Sequence, residues 1–379
     1  MTKPYILYGM AASLYTGKVR AHMRHNAVPF IEHKAGGQRF ATVVKNAVNR
    51  WIFPVVETPD GAFLQDGSVI LDHFDAAGLS KRSIYPSDPR LIVISHLFEL
   101  FGGEGLLRPA MHYRWNFDDV NLSFIRATFE DTLPDGLSPE ERAAMFEKPS
   151  QRMRKAAAFF GVTPDVYGTI EESYAQFLSL LNTHLTTRPF LLGGYLTIGD
   201  YGLFNPLYAH LGRDPKPLQL MQTKAPRVFR WTERMNSAET FVDETVETAG
   251  PDMVDADVLP ETLKALMGYV AEEYLPELLA HIAFANDWLA RHPDPSSAHD
   301  PKQRAIGMAT FDWRGHDITT AVMPYRFFLL QRMQDAFDAL EPAHESQMQS
   351  LFSETGLAAM LKARTTRRVV RENHLEVWA

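Results

Sequence analysis

The chain of 379 residues contains no cysteine. That absence excludes disulfides, thiolate metal sites, iron–sulfur clusters and a cysteine nucleophile. It also leaves the compartment unmarked by redox usage. No apolar run approaches the roughly 18–20 residues that span a bilayer. Met1-Thr2-Lys3-Pro4 leads into a short apolar piece, Tyr5 to Gly9, and Lys18, Arg20 and Arg24 soon follow. This start reads as a first strand rather than a leader, and a soluble cytoplasmic protein is the expectation. A basic excess is lacking too, with 38 Lys and Arg against 46 Asp and Glu and a net charge of −8. That balance argues against nucleic acid or an anionic membrane surface as partner. There is no internal repeat, no P-loop and no Gly-x-Ser-x-Gly elbow. The 14 histidines come without a His-Glu-x-x-His or carboxylate-rich set, so no metal is expected. His22 and His25 share a helix face and read as solvent-facing.

What is present has an order. Residues 5–9 read as a strand, 14–26 as a helix and 28–33 as a second strand. Pro54 to Gln65 reads as a hairpin turning at Pro59-Asp60-Gly61, and Asp66 to Ala77 as a helix with Val69, Ile70 and Phe74 on one side. Leu79 to Arg90 reads as a linker. Helical spacing then runs from Leu91 to about Gly250, interrupted by Gly102-Gly103-Glu104-Gly105. That glycine run lacks the strand-then-helix setting of a dinucleotide loop. Leu259 to Arg291 is a further helix, with a kink or break expected at Pro276. Thr310 to Thr319 reads as a hairpin turning near Arg314-Gly315, Tyr325 to Leu340 as a helix, and 366–379 as a basic strand. The expected divisions are residues 1–80, 90–245 and 251–379. The aromatic residues of the last division, among them Trp288, Trp313 and Phe337, require burial, most simply against the helical region.

Four segments resemble the glutathione transferase superfamily. They are Ser13-Leu14-Tyr15-Thr16-Gly17-Lys18-Val19-Arg20, Phe53-Pro54-Val55-Val56, Gln65-Asp66-Gly67-Ser68-Val69-Ile70, and Phe190 to Asp200. Their order and spacing carry the resemblance, which covers about residues 4–240. It implies a thioredoxin-like α/β domain, an all-helical domain and, beyond them, a mixed, mostly helical extension. It also implies glutathione as cosubstrate, no metal, a homodimer, and attack by the glutathione thiolate on a small hydrophobic electrophile. Detoxification is the usual setting of such chemistry.

The residues fit those implications physically. A thiol with a pKa above neutral needs a site that stabilises its thiolate. A hydroxyl at a helix start supplies a hydrogen bond and the positive helix end. Ser13 is the first candidate, then Thr16 and Tyr15, with Tyr8 a distant one; a plain capping role is the alternative for Ser13. Phe53, before a Pro54 expected to be cis, is implied to meet the cysteinyl backbone of glutathione. Asp66 suits the γ-glutamyl ammonium, and the N–H groups of Gly67 and Ser68 suit its carboxylate. Gly67 departs from the family, which places a serine there. Met111, Tyr113 and Trp115 are the candidates for the second-substrate pocket. Thr197 and Asp200 form a capping box with no catalytic role. Glutathione-dependent isomerisation, ether cleavage or dehalogenation remain open, as does a non-catalytic module of the same fold.

Overall fold

The computed structural model describes residues 3–34, 36–134, 136–238 and 252–379. The chain opens with β1 (Tyr5–Gly9), α1 (Thr16–His25), β2 (Phe30–Lys34), β3 (Val55–Glu57), β4 (Phe63–Gln65) and α2 (Gly67–Ala76). The sheet order is β2-β1-β3-β4, with β1 parallel to β2 and antiparallel to β3. Alternation along the strands divides them between two faces. Leu7 and Val56 pack with Val19, Met23, Ile70 and Phe74 on the helix side. Tyr8 and Val55 point the other way, against Phe40, Val44 and Val48. This is a thioredoxin-like domain. His22 and His25 are buried, not solvent-facing. His22 stacks on Phe74 with ring centroids 5.4 Å apart, and His25 bonds the Arg234 carbonyl at 3.1 Å. The apolar stripe of α1 is therefore wider than its sequence suggests, because α1 is covered from two sides.

The helical domain follows: α3 (Pro89–Leu100), a π-helical turn (Phe101–Gly105), α4 (Leu107–Trp115), α5 (Asp118–Glu130), α6 (Pro139–Ala157), α7 (Tyr167–His184), α8 (Ile198–Ala209), α9 (Pro215–Lys224) and α10 (Pro226–Asn236). At its centre α8 crosses α3 and the π turn. Glycine makes the approach possible: a Cβ on Gly102 would sit 2.3 Å from the Gly202 carbonyl carbon, and one on Gly202 would sit 2.4 Å from Glu99 Cα. Asp200 caps α8 from within this core, accepting the N–H groups of Thr197 (2.9 Å) and Leu191 (2.8 Å).

The extension comprises α11 (Glu261–Arg291), β5 (Gly307–Trp313), β6 (His316–Val322), α12 (Pro324–Asp338), α13 (Pro342–Glu354), β7 (Val369–Glu372) and β8 (Leu375–Trp378). Helix α11 continues unbroken through Pro276. The β5–β6 hairpin turns at Arg314 and Gly315, both left-handed. The carboxyl-terminal segment is a second hairpin rather than a single strand, because Asn373 and His374 supply the two left-handed residues of a tight turn. Helix α12 lies along α3, and Arg332 ties it to Asp72 of α2 (2.6 Å) and Glu99 of α3 (3.1 Å). The extension shares one apolar core with the first two regions. The expected boundary between residues 245 and 251 lies outside the described residues.

Candidate active site

The loop from β1 to α1 carries three of the candidate hydroxyls, and the structure gives them different surroundings. Helix α1 begins at Thr16 with Tyr15 as its N-cap residue, so Ser13 precedes the helix and does not cap it. Ser13 is half-buried and its N–H bonds the Met10 carbonyl at 3.1 Å. Thr16 is fully buried, its Oγ1 lacks a hydrogen-bond partner among the described residues, and its side chain presses on Gly9. The Tyr15 hydroxyl donates to Glu104 Oε1 at 3.0 Å. Burial first, and the Glu104 carboxylate second, push that phenol well above its ordinary value. Tyr8 points to the opposite face of the sheet. It donates to Glu57 Oε2 at 2.7 Å, and burial, with Glu57, pushes it up to about 12.

The loop is held in place by residues the sequence did not single out. Arg114 of α4 donates to the Ala12 carbonyl at 2.9 Å and makes a two-pronged pair with Asp214 at 2.7 Å on each prong. Both partners are buried. Glu104, which receives Tyr15, sits on the π turn and pairs through its other oxygen with Arg326 of α12 at 3.1 Å. Arg326 in turn meets Glu277 at 2.5 Å, whose second oxygen takes Arg108 at 2.7 Å. Burial opposes ionisation of Glu277, but the Arg326 and Arg108 guanidinium groups outweigh it and hold the carboxyl at about 2. A hydrogen bond from Tyr15, followed by a chain of buried ion pairs, thus runs from the α1 loop into the extension. The signal for Glu104 was its place in the glycine run; π turns recur at functional sites because they redirect a side chain within a helix.

At the other edge of the loop, the Phe53–Pro54 peptide bond is cis. Asp66 stands between β4 and α2 with φ of 88° and ψ of 134°, a region L-residues rarely enter. Such a conformation costs roughly 1–3 kcal/mol and concentrates at binding and catalytic positions. Asp66 Oδ1 caps α2, accepting the N–H groups of Ser68 (3.0 Å) and Val69 (3.2 Å). Burial would raise its pKa, but the Arg371 and Lys18 charges and the Tyr325 hydroxyl lower it overall. The Ser68 hydroxyl faces inward, accepting from Lys18 Nζ (3.0 Å) and donating to Glu99 (2.5 Å). The space where a serine at position 67 would place its Cβ holds the Lys18 Cε, 2.2 Å away. Lys18 thus occupies the room that the family's serine would need.

Met111 and Trp115 come together with Ala12 and Met10 of the α1 loop, and with Phe311, Trp313 and Ile318 of the β5–β6 hairpin. Tyr113 points to the other side of α4, stacked on Phe117 with centroids 5.4 Å apart and in contact with Tyr174. Its neighbours belong to the helical core. Among the described residues no group of three or more His, Asp or Glu could hold a metal ion. No helix among them is long and apolar enough to cross a membrane.

The arrangement is that of a thioredoxin-like domain joined to a helical domain, with a hydroxyl-bearing loop at their junction. The Glutathione S-transferase N-terminal domain model matches residues 7–78, and the Glutathione S-transferase C-terminal domain model matches residues 166–239. These two matches put residues 7–78 and 166–239 in the glutathione transferase superfamily. A glutathione transferase of Phanerochaete chrysosporium is similar at 16% identity, over 64% of this chain and 100% of that one, with a TM-score of 0.45. A beta-etherase of Sphingobium sp. strain SYK-6 is similar at 17% identity, over 65% and 98%, also at 0.45. A Methylobacterium radiotolerans glutathione S-transferase, in complex with glutathione sulfonate, is similar at 17% identity over 66% and 95%, at 0.37. No curated protein matches the chain.

Proposed function

We propose that the protein is a glutathione-dependent transferase in which Ser13 stabilises the glutathione thiolate and a small hydrophobic electrophile receives it. The observation that carries this reading is the contrast among the loop hydroxyls. Thr16 is sealed in the interior and Tyr15 is committed to Glu104, whereas the half-buried Ser13 hydroxyl has no partner among the described residues. A hydroxyl hydrogen bond favours the ionised sulfur, and the amino end of α1 adds its positive dipole. Phe53 and Asp66 would meet the cysteinyl backbone and the γ-glutamyl ammonium. The helix-start N–H of Gly67 serves the γ-glutamyl carboxylate, since Asp66 already holds that of Ser68.

We place the electrophile beside Met111 and Trp115, which pack with the β5–β6 hairpin in one buried apolar cluster. Those neighbours are apolar, which favours a hydrophobic electrophile. Isomerisation, ether cleavage and dehalogenation use the same thiolate and stand as variants of this proposal. The homodimer is also proposed; helix α12 already covers α3, so a partner subunit would use another face. Calorimetric titration with glutathione tests the reading. Saturable binding together with turnover of an aryl halide supports it, and no binding at millimolar concentration leaves a non-catalytic module of the same fold.

A further inference from the structure

Building on the glutathione reading, we propose that the tip of the carboxyl-terminal hairpin, residues 371–376, is an internal occupant of the glutathione site that glutathione must displace. The tip reaches the site from 306 residues away in sequence, where the Arg371 guanidinium donates to the Gln65 side chain next to Asp66. On the same face Glu376 gives both carboxylate oxygens to Arg50 Nη2, each at 2.8 Å. The turn itself is fastened by Arg50 to the His374 carbonyl (3.0 Å) and by Asn49 to the Asn373 carbonyl (3.1 Å). Residues 49 and 50 lie shortly before the Phe53–Pro54 segment, and Gln65 ends β4 with Asp66 between it and α2. The hairpin therefore bridges the two segments that the glutathione reading assigns to the tripeptide.

The chemistry of the tip matches that of the ligand. Glutathione offers one cationic group and two carboxylates. The tip offers a guanidinium, paired with Glu376 inside the hairpin and held at Gln65 beside Asp66, and a carboxylate that also meets Arg50. These are the charges that Asp66 and Arg50 would seek in the tripeptide. Arg50 is not fully served by this arrangement. It is 8% exposed, and its Nε and Nη1 have no hydrogen-bond partner among the described residues. Two buried donors on a guanidinium whose third nitrogen already holds a carboxylate point to a further anionic group at this position.

The root of the hairpin is anchored independently of the tip. The Gln331 side chain donates to the Val369 carbonyl (2.8 Å) and accepts its N–H (2.9 Å). Trp378 packs on Phe327 and Trp288. The tip can lift while the root stays, so displacement needs no unfolding of the extension.

Titration of the full chain and of its Arg371→Ala/Glu376→Ala variant with glutathione tests the proposal. If the open state is populated at one part in ten to a hundred, the variant binds roughly 10- to 100-fold more tightly. Equal affinity overturns the internal occupant and leaves the glutathione reading standing. Weaker binding by the variant also overturns it, because the tip would then be part of the site. Absence of binding to both proteins removes the glutathione reading and this proposal together. Hydrogen exchange on the unaltered protein gives a second readout that needs no substitution. Saturating glutathione should speed exchange at residues 371–376, and slower exchange there refutes displacement.

Discussion

At the residue scale, the β1–α1 loop sets two testable roles apart. One hydrogen bond to a charged group contributes roughly 1.5–3 kcal/mol, or about 1–2 pKa units. Ser13→Ala should raise the thiol pKa of bound glutathione by about that much and cut turnover of an aryl halide roughly 10- to 100-fold. Glutathione affinity should change far less. Unchanged turnover and thiol pKa would leave Ser13 without the role assigned to it. Arg114 is different, for it donates to the Ala12 and Ala209 carbonyls and pairs with Asp214, contacts that place the loop. Arg114→Met strands a buried carboxylate and should cost about 3–5 kcal/mol, read as a fall in denaturation midpoint. Asp214→Asn combined with Arg114→Met should recover part of that loss; a double variant no better than the single would contradict the pairing. The three loop hydroxyls were legible in the sequence as candidates, with Ser13 first, but their surroundings were not. Those surroundings depend on Glu104, 89 residues from Tyr15, and on which side of α1 is covered. Tyr113 illustrates the same limit. It lies two residues from both Met111 and Trp115, yet the helix turns it to the opposite face.

At the element scale, the crossing of α3 and α8 rests on backbone meeting backbone. A Cβ at Gly102 meets the Gly202 carbonyl carbon and the Leu203 nitrogen, both at 2.3 Å, and neither atom can rotate away. Gly102→Ala should therefore destabilise by about 3 kcal/mol or more through overpacking. Gly268, within α11, faces open space. Gly268→Ala should stabilise by roughly 0.5–1 kcal/mol by restricting the unfolded chain. Thermal melts of the two variants should move in opposite directions, and a shared direction would refute the packing argument. Element types were readable from periodicity over most of the chain, including the 54–65 hairpin and the turn at Arg314-Gly315. Two features escaped. Proline marks a helix break in sequence, but α11 runs through Pro276 with apolar partners on several sides. The carboxyl-terminal hairpin turns on Asn373-His374 without a glycine, so the usual hairpin signature was absent.

At the scale of the whole molecule, the buried titratable groups set how stability depends on pH. Burial lowers His22 to about 4, His184 to about 4, and His281 to about 3, the last also through the Arg326 charge. Their folded pKa values lie below the unfolded value of about 6.5, so the unfolded chain takes up protons first. Stability is then present above pH 6.5 and lost as pH falls toward 4, on the order of 3 kcal/mol for each histidine at the limit. Asp200 works in the opposite sense, because burial raises it to about 6 and its contribution is lost as pH rises through that value. Three histidines outweigh one aspartate. Below about pH 4.5 Glu277, held at about 2 by its arginines, adds a further loss. Denaturation midpoints measured from pH 7 to pH 4 should fall steadily, and a flat profile would contradict the buried neutral histidines. None of this was visible in composition, where fourteen histidines invited only a question about metals.

The reach of the carboxyl-terminal hairpin back to Gln65 and Arg50 has a consequence in time. Gln65 and Arg371 leave the ribosome 306 residues apart. At about 5–20 residues per second, the first domain waits roughly 15–60 s for the segment that covers it. During that interval Asp66 and Arg50 lack Arg371 and Glu376, while helix α3 lacks α12. A nascent chain stalled before residue 324 would thus expose the side of α3 that α12 later covers, so a chaperone meeting this protein during synthesis would bind there and let go only once α12 has emerged.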